Sequence, residues 1–232
     1  MKNIVATLSI VALACSLNAA DLTGTVTLKG TPPAEKDITP LKDDPNCGKL
    51  VTSTTKTTHY VVGAKGELAN AVVIVKGVAN AKSGGASAAP VVIDQKSCTY
   101  VPHILAVQTG QKVVVKNSDP VLHNVHTTPT VAGNKEMNQA QMPNAADMTV
   151  SFDKPENFLK FKCDVHPWMF AYVCVVDHPY FAVTGADGSF KIANVPPGKY
   201  TVEALHRKAG TATLEVEVKD AGGRADFTLE AK

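Results

Sequence analysis

An all-β protein is what this chain predicts, on three observations. Its apolar residues fall in short β-branched runs, Gly, Pro, Asn or Asp punctuate the gaps, and no segment keeps a helical period for three turns. Short strands with turn signals between them build a sandwich or a barrel. Composition supplies the core: 44% of the 232 residues are hydrophobic and 19% charged, which excludes a disordered chain. Lysine plus arginine number 23 against 21 acidic residues. Without a basic surplus there is no footprint for nucleic acid or another polyanion.

The chain opens on a leader. Lys2 precedes an apolar run over 4–14 and small residues ending at Ala19 and Ala20, the pattern of a secretory signal peptide over residues 1–20. A second reading takes Ala12, Leu13, Ala14 and Cys15 as a lipoprotein box, with Cys15 carrying a lipid anchor. The run falls short of the roughly 20 apolar residues that span a bilayer, and no other segment reads as a transmembrane span. The expected location is periplasmic or extracellular, where disulfides persist.

Strands follow in order. Leu22, Gly24, Val26 and Leu28 alternate with Thr23, Thr25 and Thr27 until Pro32 and Pro33 end the run. Residues 68–76 are β-branched, and 79–90, rich in Ala, Gly and Ser, is a linker or exposed loop. Further strands are expected at 91–93, 104–107, 113–116, 148–152, 158–162 and 171–176, with at most one short helical turn in 133–146. A last set covers 189–192, 199–204, 211–218 and 225–229.

One constellation carries chemistry. His123 and His126 come just after the strand that ends near Asn117, and Cys163, His166 and Met169 occupy a seven-residue stretch further on. A soft thiolate, imidazoles and a weak thioether suit copper that cycles between two oxidation states, with a long axial methionine above a trigonal plane. One tight loop can turn Cys163, His166 and Met169 inward while the other imidazole comes from a neighbouring strand. His123 and His126, three apart on a strand, face opposite sides, so only one of them reaches such a metal. Zinc on His123, His126, Cys163 and His166 is a less favoured alternative, because it leaves Met169 without a role. Cys174 lies too far along to make the site binuclear.

His123-Asn124-Val125-His126 and Cys163-Asp164-Val165-His166-Pro167-Trp168-Met169 resemble the two ligand segments of the cupredoxins, most closely the amicyanin type. The run from Tyr100 to Asn117 is similar to the strands that lead to the family's first ligand, and the resemblance covers roughly residues 90–178. It implies a Greek-key β-sandwich holding one type 1 copper on His123, Cys163, His166 and Met169. His126 stays open as the alternative first ligand. By the same resemblance Asn124 ties the two ligand loops together. Asp164 stands where the family often has a hydroxyl residue, and Pro167, Trp168 and Phe170 give the His166 edge an apolar surround. A redox partner protein is expected to dock near His166, Trp168 and Phe170.

The two ends of the chain resemble halves of another domain. Asp187-Gly188, Phe190 and the turn Pro196-Pro197-Gly198-Lys199-Tyr200 look like the second half of a carboxypeptidase regulatory-like sandwich, and Gly24-Thr25-Val26 with Ala71-Val72-Val73 fit its first half. The implied architecture is a cupredoxin domain (90–178) inserted in, or fused to, a small sandwich built from 21–80 and 179–232.

The resulting expectation is an exported, non-enzymatic carrier of single electrons between partners. Copper delivery is one alternative, and a carbohydrate-binding sandwich with a structural metal is another. Catalytic copper would need a second site with an open position, and the remaining His59, His103, His178 and His206 are scattered along the chain. With Cys15 in the leader and Cys163 on the metal, Cys47, Cys98 and Cys174 are left. Cys47 with Cys98 is the expected disulfide, and Cys174, inside an apolar strand, the buried thiol.

Overall fold

The computed structural model describes residues 19–232; most of the leader, with Cys15, lies outside the described residues. The protein is an all-β sandwich assembly of four sheets. No helix among the described residues is long and apolar enough to cross a membrane.

Two early strands, β1 (Ala20–Lys29) and β2 (Val72–Lys76), pair with late ones. The late set is β12 (Phe181–Val183), β13 (Ser189–Val195), β14 (Gly198–His206), β15 (Gly210–Val218), β16 (Gly223–Arg224) and β17 (Phe227–Glu230). β1 lies between β13 on one side and β16 and β17 on the other, while β2 lies between β12 and β14, with β15 beyond. Gly24 is required here, since a Cβ would stand 1.7 Å from the Ala225 carbonyl oxygen. Leu22, Val26 and Leu28 turn inward from β1 onto Val73, Val75, Phe190 and Val202, making one core.

The strands between pair among themselves. They are β3 (Val91–Lys96), β4 (Thr99–Val101), β5 (Ile104–Gln108), β6 (Val113–Asn117), β7 (His123–Thr128), β8 (Met137–Gln141), β9 (Met148–Val150), β10 (Glu156–Lys162) and β11 (Phe170–Val176). One sheet runs β5-β11-β10-β7-β8 and the other β4-β3-β6-β9. Their facing side chains, Ile93, Val107, Val115, Val125, Phe152, Leu159, Phe161 and Val173 among them, form a second core. Residues 133–146 do not hold a helical turn: β8 runs through them, because its backbone completes the ladder along β7 from His123↔Gln141 to Thr127↔Met137.

The continuous apolar runs mark strands covered on both faces. In β2, Val73 and Val75 enter the first core while Val72 and Ile74 face the other way. In β11, Val173 and Val175 enter the second core while Cys174 and Val176 turn outward. Those outward residues meet Ile104 and Leu205 in a third cluster that joins the two regions.

The stretch between β1 and β2 does something composition did not announce. A short helix, α1 (Thr39–Asp43), and a 3-10 turn at Cys47–Lys49 carry Leu41 and Cys47, both fully buried, into the second core. A disulfide joins Cys47 to Cys98, just ahead of β4.

Candidate metal centre

β10 and β11 are antiparallel neighbours, and the loop 163–169 closes them. Two backbone bonds set its shape: the Cys163 amide donates to the Met169 carbonyl (3.1 Å) and the Met169 amide to the His166 carbonyl (2.9 Å). β10 also pairs with β7, Lys162 opposite His126, so the start of this loop lies alongside the start of β7. That places His123, the first residue of β7, against Cys163 and His166. The three ligand atoms lie within 4.8 Å of one another. His123 Nδ1 stands 3.1 Å from His166 Nδ1, and Cys163 Sγ stands 3.7 Å from His166 Nδ1. Nitrogens at about 2.0 Å and a sulfur at about 2.3 Å from one ion, at trigonal or tetrahedral angles, stand about 3.3–3.7 Å apart. The donor set therefore fits a single metal ion with little rearrangement. All three are buried, and Met169, 1% exposed, packs in the same core.

Hydrogen bonds outside the cluster fix what each group offers. His123 Nε2–H donates to Asp119 Oδ2 (2.9 Å), leaving Nδ1 to face the cluster. Asp119 is itself held by the amides of Ser97 (2.7 Å) and Cys98 (2.8 Å). Burial pushes the Asp119 carboxyl up, but hydrogen bonds from His123, Cys98 and Ser97 outweigh it and hold it below the ordinary range. Burial likewise opposes charge on His123, yet Asp119 and Cys163 raise it. At Cys163 burial favours the thiol, while the facing His123 ring and the hydrogen bond from the Asn124 amide (3.3 Å) pull it below the ordinary thiol range. Burial, then the neighbouring His123 charge, lowers His166. His123 Nδ1 and His166 Nδ1 share a proton in the metal-free protein; a metal that displaces it would meet a thiolate and two imidazoles, a soft-metal donor set.

Of the two histidines on β7, His123 joins the cluster and His126 does not. Inward residues alternate along β7, and His126 lies on the other face, its Nδ1 2.6 Å from Asp164 and its Nε2 2.7 Å from Glu136. The Asn124 side chain accepts a hydrogen bond from the Asp164 amide (3.2 Å), tying the two loops together. A backbone donor makes that link, so no hydroxyl at position 164 is needed. The Asp164 carboxylate instead pairs with His126 and with Lys162 (2.8 Å). Pro167, Trp168 and Phe170 line an apolar surface groove with Ile38 and Pro40.

Two features escape sequence reasoning. Asp119 is a carboxylate four residues before His123, a spacing that could have flagged it. The other is the covering of His166, only 7% exposed. Asp44 and Cys47 lie beside His166, and Cys98 lies beside His123 and Asp119, each group's atoms within 4.8 Å. The disulfide thus straps residues 38–51 over the cluster. The Trp168 indole donates to the Cys98 carbonyl (3.1 Å) on the same side.

The other histidines are less scattered than their sequence positions suggest. His59, His103 and His206 line one cavity, while His178 stands apart and accepts from the Tyr180 amide (3.2 Å).

No protein-family model matches the chain, and no curated protein matches it. Among solved structures it is similar to a mutant of amicyanin in its Cu(I) form, at 21% identity and a TM-score of 0.34, over 44% of this chain and 97% of that one. It is similar at 20% identity and the same TM-score to the Cu-containing nitrite reductase (NirK) from Thermus scotoductus SA-01, over 45% of this chain and 27% of that one.

Proposed function

We propose that the chain is an exported type 1 copper protein that carries single electrons between partner proteins. The observation that carries this reading is the buried meeting of His123 Nδ1, Cys163 Sγ and His166 Nδ1 at the ends of β-strands. His123, Cys163 and His166 would hold the ion, with the Met169 thioether as a further weak donor. Copper, when bound, supplies a centre that takes up and releases one electron without making or breaking bonds in the protein. The chain's own groups do the rest. Asp119 fixes the tautomer and orientation of His123. The Asn124 amide points at the sulfur, favouring the thiolate. Strand ends and the Asn124 link hold the donors still, and burial keeps water out. A site this enclosed favours retention over copper delivery, since release would require the loops to open. A partner would approach over Trp168 and Phe170 rather than directly at His166, which the strap covers.

We further infer that the copper-binding region is inserted within the flanking sandwich. What supports this is the pairing of β1 and β2 with β12–β17, while β3–β11 close on themselves.

The test is copper loading of the metal-free protein followed by voltammetry. One copper per chain, an intense visible colour and reversible one-electron cycling without metal loss are expected. A colourless protein that retains only zinc would overturn the reading, and copper that passes readily to a chelator would replace carriage with delivery.

A further inference from the structure

The cavity lined by His103, His206, Arg207 and Lys208 lies where β5 and β11 meet the turn between β14 and β15. It has a volume of about 50 Å³, room for an ion of about four or five heavy atoms, given that one water needs roughly 10–15 Å³. Its polar groups have definite roles. His103 Nδ1 lies 3.0 Å from the Phe170 carbonyl oxygen. A carbonyl only accepts, so Nδ1 carries the proton and Nε2 keeps its lone pair. His206 is the reverse: its Nδ1 accepts from the amides of Lys208 (3.3 Å) and Ala209 (3.1 Å), so its proton sits on Nε2. His206 is 4% exposed and stacks on Tyr60, ring centroids 5.4 Å apart. Neither Nε2 has a hydrogen-bond partner among the described residues. Burial holds both imidazoles below the usual range, His206 at about 4, which keeps these tautomers at neutral pH.

Two cations stand at the rim of the cavity. The Arg207 guanidinium lies 5.0 Å from the Tyr172 ring centroid, and Lys208 follows it. Neither forms a salt bridge among the described residues, and no carboxylate lines the cavity; the Glu35 carboxylate, whose charge reaches His59 and His103, lies outside it and accepts from Thr57 and the Tyr60 amide. The cavity therefore presents an N–H donor from His206, two cations and the His103 lone pair as an acceptor, with the polar side chains of Thr58, His59 and Asn70 completing its lining. The complement is a small anion with several acceptor oxygens and one O–H.

We propose that this cavity binds a small, singly protonated oxyanion of the inorganic phosphate class, its oxygens on His206, Arg207 and Lys208 and its hydroxyl donating to His103. The site shares no residue with the metal centre and stands whether or not that centre binds copper.

Sulfate is the discriminating probe. It matches phosphate in shape but carries no proton at neutral pH, so it sets an oxygen lone pair against that of His103. Calorimetric titration of the full chain with inorganic phosphate should show one site per chain, with sulfate weaker by roughly tenfold, the order of an unmet buried acceptor. Arg207 and Lys208 are exposed, so R207Q with K208Q should leave the melting temperature unchanged and weaken phosphate by about tenfold through lost charge-assisted bonds. H206F, which keeps the ring stack but removes the donor, should abolish binding. No saturable phosphate binding, equal affinity for sulfate, undiminished affinity in R207Q/K208Q, or saturable zinc binding in place of phosphate would each overturn the proposal.

Discussion

Two groups of histidines sit in one β framework and offer opposite chemistry. In the first, His123 turns its protonated nitrogen to a carboxylate and its lone pair toward Cys163 and His166. In the second, His103 gives its proton to a carbonyl and presents a lone pair, while His206 accepts two amides and presents a proton. His126, between two carboxylates, has no nitrogen left for a metal. The partner on a ring's far nitrogen decides what the near one can do. On the proposed readings, a cysteine at the focus suits the first group to a soft metal, and cations at the rim suit the second to an anion.

The largest expected effect separates the two histidines of β7. His123→Ala should abolish stoichiometric copper binding, measured by metal analysis after dialysis, whereas His126→Ala should keep one copper per chain. Loss of metal in His126→Ala with retention in His123→Ala would reverse the assignment. Next in size, Asp119→Asn keeps the shape but weakens the hold on the His123 tautomer. Copper affinity should fall about 10- to 100-fold in chelator competition, the usual cost of losing such a supporting partner. An unchanged affinity would mean that Asp119 only fills space.

A smaller effect belongs to the junction. The folded state holds His206 at about 4, below the roughly 6.5 of an unfolded chain. Between those values the unfolded state binds the extra proton, so stability is full above about 6.5 and falls as pH drops toward 4. In His206→Phe, urea unfolding of the metal-free protein should lose up to about 1.4 kcal/mol per pH unit of that slope. An identical slope would contradict a buried, neutral His206. Smallest of all, Asp164→Asn breaks a half-exposed pair with His126 and Lys162. It should leave the urea midpoint close to that of the unaltered chain, because the Asn124 link uses the Asp164 backbone.

What could be read in the sequence follows from which interactions are local. Alternation in β1 and the unbroken apolar runs of β2 and β11 signal strands because burial on one or two faces writes itself into neighbouring residues. Cys163, His166 and Met169 share one loop, so their spacing reveals them; the choice of His123 over His126 comes only from the resemblance of His123-Asn124-Val125-His126 to the cupredoxin ligand segment. The roles of Asp119 and of the strap at 38–51 were not legible. Leu41 and Cys47 are ordinary buried residues until Cys98 is brought to them by the β3–β4 turn. The cluster of His59, His103 and His206 was hidden for the same reason. It exists only because β11 and β2 turn their second faces toward each other.

X-ray absorption at the copper edge of the loaded, intact chain tests the central claim most directly. A copper shell of two nitrogens and one sulfur, with the sulfur lost in Cys163→Ser and the circular dichroism unchanged, is the predicted result. A copper shell of nitrogen and oxygen alone in the wild-type protein would contradict it.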